Sequence, residues 1–237
     1  MKKILSGMFM LASAIVLSQS GEKMNIIKTN VTAYAFRNIN LTYERVLNKR
    51  FSVSVGFGTV PKGSIPFANT YLKDTEISDP KVGLTNFTIE PRIYLGEGFG
   101  KGFYIAPYYR YSSVNADSVT MTFDYESGED KTHVSGKATA NSAGLMLGAQ
   151  WFLGRNKNWV IDWWIIGAHY GAGNGNFRVD SSRPLTPADQ KELKDYITKL
   201  DIPLVKYETA TDANGATVKM DGPWAGLRAG LIFGYRF

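Results

Sequence analysis

The chain has no cysteine among its 237 residues, which excludes disulfides, thiolate metal sites, a cysteine nucleophile and a lipid-modified N-terminal cysteine. Only two histidines occur, His133 and His169. No paired-histidine metal motif can be written, and neither a nucleophile elbow nor a glycine-rich phosphate loop appears. No cofactor is expected. Long apolar runs are missing beyond the N-terminus, so no stretch of ~20 apolar residues remains to cross a bilayer as a helix. Charge of one sign is not concentrated either. Basic residues outnumber acidic ones 27 to 21, a formal net charge of +6, and that excess is too small to argue for nucleic acid.

At the N-terminus, Lys2 and Lys3 precede an apolar run from Ile4 to Leu17 and then Ser18-Gln19-Ser20. This reads as a secretory signal peptide over residues 1–20, which leaves a single domain of residues 21–237. Glycine (24) and aromatic residues (13%) are plentiful, and they recur with a period of two. In FSVSVGFGT, Phe51, Val53, Val55 and Phe57 alternate with Ser52, Ser54, Gly56 and Gly58. NFTIEPRIYL, FYIAPYYRYS and SAGLMLGAQWFL behave alike, as do NIIKTNVTAYAF and NINLTYERV less cleanly. WVIDWWIIGAHYG is apolar on both faces and is read with Asp162 pointing inward. The ending GLRAGLIFGYRF completes a set of eight strands.

Alternation of this kind lets a sheet cross a membrane while its backbone is satisfied between strands. The expected fold is all-β: an eight-stranded antiparallel transmembrane β-barrel with long extracellular loops, one holding a short α-helix. Three links are short, at residues 47–50, 96–102 and 154–158, and suit the periplasmic side. Links at residues 61–85 and 172–223 are long and suit the outside. SVTMTFDYESGEDKTHVSGKATA reads as two strands projecting beyond the membrane around a turn at Ser127-Gly128-Glu129-Asp130. The implied location is the bacterial outer membrane, reached by export, with lipid as the first partner.

The last strand directs Leu231, Phe233, Tyr235 and the terminal Phe237 outward. That pattern looks like the C-terminal signal read by the outer-membrane assembly machinery. Trp151, Trp159, Tyr235 and Phe237 are expected near one interface, and Tyr109, Tyr111 and Trp224 near the other. Inward parity falls on Glu44, Glu90, Arg92, Arg110, Asp162, Arg228 and Arg236, with Lys28 as a further candidate. Eight strands leave room only for side chains. These charges, with Tyr94, Tyr104, Tyr108 and Gln150, are therefore read as an ionic plug in preference to an arginine-lined pore, since charges away from water must pair.

The outer connections carry the remaining candidates. LTPADQKELKDYITKL places Thr186 as N-cap, Pro187 at the first helical position, Asp189 in the first turn and Lys199 in the last. Leu193, Tyr196, Ile197 and Leu200 form one apolar stripe, a candidate surface for a protein partner or for packing within the loop. KYETATDANGATVKM reads as a hairpin turning at Asn214-Gly215. An acyl hydrolase or transferase acting on lipid would need His169 with Ser112 or Ser113, and nothing in the spacing unites them. Asp124, Glu126, Glu129 and Asp130 do not match the calcium-loop spacing and are read as a solvated tip.

The runs NVTAYAFRNINLTYERVLNKRFSVSVGFG, TIEPRIYL with GFYIAPYYRY, AGLMLGAQWFLG and GPWAGLRAGLIFGYRF together resemble an uncharacterised family of small outer-membrane β-barrel proteins of Bacteroidetes-type bacteria. The resemblance spans nearly all of the exported chain. It implies the fold and the location, and supplies no catalytic residues.

Overall fold

The computed structural model describes residues 23–64, 77, 78, 80–199 and 203–237. The signal-peptide reading of residues 1–20 lies outside them. Ten strands form in chain order: β1 (Asn25–Asn30), β2 (Ile39–Val46), β3 (Phe51–Ser64), β4 (Ile77–Ser78), β5 (Lys81–Tyr94), β6 (Gly102–Tyr125), β7 (Gly128–Leu153), β8 (Trp159–Asp180), β9 (Lys206–Asp212) and β10 (Gly215–Arg236). One α-helix, α1 (Pro187–Lys199), precedes β9. Every strand pairing is antiparallel. Pairing runs β1-β2-β3-β5-β6-β7-β8-β10, and β10 returns to β1 through Ile26 opposite Arg236 and Asn30 opposite Ile232. Eight strands thus close on themselves, β9 extending the sheet beside β10 and β4 pairing with β6.

The three short links are where the spacing placed them, between β2 and β3, β5 and β6, and β7 and β8. The longest of the three, GEGFGKG, turns on glycine, with Gly98 and Gly100 taking φ of 89° and 83°. A Cβ at Gly98 would strike the Lys49 carbonyl. Glycine is required there both for the backbone conformation and for the close approach.

Several boundaries differ from the sequence reading. The first strand stops at Asn30 rather than Phe36, because the Asn30 carboxamide turns back to accept from the Ala33 N–H (3.1 Å) and the Thr32 hydroxyl (2.7 Å). Such local bonding competes with a sheet ladder. A 3-10 turn (Thr32–Phe36) follows and ends at Arg37, φ 57°. At the opposite side the long links shrink: β3 runs to Ser64, β8 to Asp180, and β10 starts at Gly215. Those extensions are rich in Gly, Asn, Ser and Thr, which read as loop by composition but are held by their neighbours' backbones. The projecting hairpin turns at Glu126-Ser127 and the second at Ala213-Asn214, each slightly ahead of its expected place.

The two-faced character of WVIDWWIIGAHYG has a structural cause. Leu147 and Gly148 of β7 meet Ile166 and Trp164, while Arg228 and Gly230 of β10 meet Gly167 and Trp164. Both shifts insert one extra residue in β8 at Ile165. A bulge of this kind switches which parity faces inward. Asp162 and Trp164 line the interior before it, Gly167 and His169 after it.

Candidate functional site

The interior is built in layers from the short-turn end upward. Met24, Ile26, Val46 and Val160, all buried, form an apolar floor with Phe99 and Phe152. Alternation on β1, β2, β5 and β8 then aims Lys28, Glu44, Arg92 and Asp162 at one another, and all four side chains are fully buried. The Lys28 ammonium contacts Glu44, Asp162 (2.6 Å) and Gln150 Oε1 (2.6 Å). Arg92 Nη1 reaches Asp162 (2.7 Å) and Glu44 (3.2 Å), and its Nε donates to Glu90 (2.8 Å). Arg228 adds a longer bond to the other Glu90 oxygen (3.2 Å).

Hydroxyl groups complete the coordination of Glu44 and add to that of Asp162. Glu44 Oε1 accepts from Ser52 (2.6 Å) and Tyr94 (2.7 Å), and Asp162 Oδ1 accepts from Tyr104 (2.7 Å). The Arg92 guanidinium lies over the Tyr104 ring at 4.3 Å. Three cations, Lys28, Arg92 and Arg228, thus meet three carboxylates, Glu44, Glu90 and Asp162. Buried ions persist when each charge is paired with an opposite one and most of their polar atoms are hydrogen-bonded.

Two residues sharing the inward parity stand apart from this layer. Arg236 lies below it, where its Nε donates to the Lys23 carbonyl (2.7 Å) and its guanidinium covers the Phe152 ring (4.3 Å). Arg110 lies above it, facing the Thr88 hydroxyl at 3.4 Å. The parity of a strand says which way a residue faces. Its height depends on register against the neighbours.

Above the ionic layer is a cavity of about 210 Å³ lined by Asn38, Asn40, Thr42, Asn86, Thr88, Glu90, Arg110, Trp164 and Arg228, among others. Arg228 is held between the rings of Trp164 (4.4 Å) and Tyr108 (4.5 Å). Sequence reasoning missed Asn38, Asn86 and Trp164 as wall residues. Asn86 was findable, since it shares the parity of Glu90 and Arg92.

His169 faces inward, with Nδ1 3.1 Å from the Tyr108 hydroxyl. The Ser112 hydroxyl donates instead to Asn86 (2.8 Å). Neither Ser112 nor Ser113 bonds to His169 among the described residues. No group of three His, Cys, Asp or Glu side chains among them is placed to hold a metal. Asp130, read as part of a solvated tip, is buried and accepts from the hydroxyls of Ser181 (2.6 Å) and Ser182.

At the far end the loops form a crown. Thr186 and Asp189 cap α1 reciprocally, Asp189 N–H to the Thr186 hydroxyl (3.2 Å) and Thr186 N–H to the Asp189 carboxylate (3.1 Å). The Ser127 hydroxyl, the Thr186 N–H and the Arg183 guanidinium hold the Asp189 carboxyl well below the ordinary carboxylate range. Arg178 and the Asn214 N–H likewise hold Asp212 down, at about 2. Leu193 and Ile197 are buried against Tyr125, Val179, Leu185, Ala216 and Val218. Those two members of the expected interaction stripe are therefore consumed by the chain's own strands, because the strands project far enough to meet them. Tyr196 stays partly exposed beside Phe123, ring centroids 5.1 Å apart. Leu200 lies outside the described residues.

The outer face of the ring carries the other half of the alternation. Phe51, Phe57, Ile93, Leu147, Trp151 and Trp163 are exposed there, as are Leu231, Phe233, Tyr235 and Phe237 on the last strand. Trp159 packs on Phe233 (5.3 Å) and Tyr235 (5.4 Å). Trp224 departs from its expected place among outward aromatics. It shares the parity of Arg228 and lies toward Gly173 on the interior face.

A family model described as a protein of unknown function, DUF3575, matches residues 7–206. The chain belongs to that family. The match ends at the first residue of β9, so the strand that closes the ring lies beyond it. A search of the curated proteins gives no match.

Proposed function

We propose that the chain is an outer-membrane β-barrel protein of Bacteroidetes-type bacteria, exported by a signal peptide over residues 1–20 and inserted with its short turns on the periplasmic side. The observation that carries this reading is the outer face. Exposed apolar side chains alternate with inward-facing residues at Phe51, Val55 and Phe57 on β3, from Phe87 to Leu95 along β5 and its end, and from Leu227 to Phe237 along β10 and the terminus, and the last two runs suit the 9–11 residues a tilted strand needs to cross a bilayer. In water so large an apolar belt would drive aggregation; against hydrocarbon it is at rest. Beyond the belt, β6 and β7 continue as 24- and 26-residue strands. At ~3.3 Å per residue they overshoot a ~30 Å hydrocarbon layer and carry the crown outward.

The barrel is plugged. An apolar floor and a charge-balanced layer fill its section, and an ion entering would have to displace pairs that are fully buried. Its role is then borne by the crown, which binds a partner or holds the chain in an envelope complex. Leu231, Phe233, Tyr235 and Phe237 serve the assembly machinery during insertion. A narrow channel is the second reading, favoured by the cavity that Arg110 and Arg228 line.

Planar-bilayer recording on the purified chain separates the two. The plugged barrel is expected to insert, read as protease protection of β-rich fragments in vesicles, and to give no unitary current; steady single-channel steps would overturn the plug. Gentle detergent extraction from cells should recover a stoichiometric partner that is lost when residues 185–200 are removed. Recovery of the chain always alone would overturn the complex-forming role.

A further inference from the structure

We propose that the interior cavity is a binding site for a small oxyanion, a phosphate or a compact carboxylate, held between Arg110 and Arg228. Charge is the first argument. The ionic layer beneath is balanced, so Arg110 is a surplus positive charge within the ring. Among the described residues its guanidinium has one hydrogen-bond partner, the neutral Thr88 hydroxyl at 3.4 Å. A guanidinium offers five N–H donors, and one so sparsely paired in a half-buried position favours an anion beside it.

The wall supplies the second argument. Asn86 is buried (4% exposed) and its Oδ1 is occupied by the Ser112 hydroxyl, leaving Nδ2 without a partner among the described residues. Trp164 Nε1 is likewise buried and unpartnered. Both residues line the cavity with the two arginines. Arg110 therefore presents free N–H donors to the cavity, and Asn86 Nδ2 and Trp164 Nε1 are spare donors in its wall that a small side-chain shift brings to an acceptor-rich ligand; the carboxylate of the wall, Glu90, is already engaged by Arg92 and Arg228. Asn38 Oδ1 is the unpartnered acceptor of this wall, and it suits a single ligand O–H such as that of monohydrogen phosphate.

Size and positioning agree. The cavity volume of about 210 Å³ equals that of about seven waters at ~30 Å³ each, room for a phosphate or small hydroxy acid with its hydration and too little for an acyl chain. Arg228 is immobilised by the two rings that sandwich it and by Glu90, so a ligand meets a preorganised guanidinium plane and a second, adjustable one on Arg110. Arginine forks of this kind recognise carboxylate and phosphate oxygens by paired bonds.

The test is calorimetric titration of the purified full-length chain with inorganic phosphate and, separately, acetate, with chloride at matched ionic strength as the control. Saturable one-to-one binding of phosphate or acetate is expected, chloride giving none; the stronger of the two identifies the source. Arg110→Gln should weaken binding between about tenfold and a hundredfold, the size of a charge-assisted hydrogen bond. Thr88→Asp, which sets a carboxylate beside Arg110, should abolish binding and raise the melting temperature of the ligand-free protein. It serves as a second arm if the glutamine variant fails to fold. Lys219→Ala, on the exposed extension of β10, should bind as the parent does. Absence of saturable binding, equal binding by Arg110→Gln, an equal effect of chloride, or a lowered melting temperature for Thr88→Asp would each overturn the proposal.

Discussion

Replacing Asp162 by Asn tests whether the ionic layer acts as one unit. Asparagine keeps the shape and an acceptor for the Tyr104 hydroxyl, but removes the charge that faces Lys28 at 2.6 Å and Arg92 at 2.7 Å. Three cations then confront two carboxylates in a layer whose Lys28, Arg92 and Glu44 side chains are fully buried. Breaking one partner of a buried ion pair costs about 3–5 kcal/mol, a large share of the ~5–15 kcal/mol by which a domain is usually stable. Removing the matching cation as well, in Lys28→Met with Asp162→Asn, restores the balance between Arg92 and Arg228 on one side and Glu44 and Glu90 on the other. The double variant should therefore be more stable than the sum of the single losses by about 0.5–3 kcal/mol, the range seen for residues in one network. Urea unfolding followed by tryptophan fluorescence in fixed detergent reads these differences as midpoint shifts at constant slope. Strict additivity, or a loss below ~1 kcal/mol for Asp162→Asn, would refute the claim that these charges stabilise one another.

Other outcomes follow from particular contacts. A Cβ at Gly148 would strike the Tyr104 hydroxyl, so Gly148→Ala should push Tyr104 off Asp162 and cost about 1–3 kcal/mol in the same urea assay. Leu193→Asp should detach α1 from the crown, seen as rapid proteolysis within residues 181–214 while the closed ring keeps its far-ultraviolet spectrum; unchanged protection would contradict the packing given to α1. The crown should also loosen in acid. Asp212 is held at about 2 against an ordinary 3.8, and a depressed carboxyl stabilises the fold above its ordinary value and loses that contribution as pH falls toward its folded value. Pepsin cleavage of the crown should therefore rise between about pH 4 and pH 2, and in Asp212→Asn the component of the rise due to this carboxyl should vanish.

Much of the ring was legible because period-two alternation is a local signal. Phe51 to Gly58, Asn86 to Leu95 and Leu231 to Phe237 each announce both faces without reference to any neighbour. Boundaries were not legible where pairing, not side-chain character, sustains the strand. Val179 and Asp180 stay in β8 because β7 and β10 flank them. The bulge at Ile165 was invisible for the same reason, since only the register of two partners reveals an extra residue. The ionic layer was readable as a set of inward charges, but the separation of Arg110 from Arg92 was not. Height in a closed sheet is fixed by stagger between strands, which one sequence does not display. The fate of Leu193 and Ile197 was likewise settled by the reach of β6 and β10, an extension that composition had disguised as loop.

The most direct measurement exploits the lack of cysteine in the chain. Single cysteines at Phe51, Ile93, Ile105, Leu147 and Leu231, each carrying an environment-sensitive fluorophore, would be compared in lipid vesicles with one at Lys219. Blue-shifted emission quenched by brominated acyl chains at the five sites, with water-like emission at Lys219, is the predicted result. Water-like emission at all six would contradict the claim that this face of the ring meets hydrocarbon.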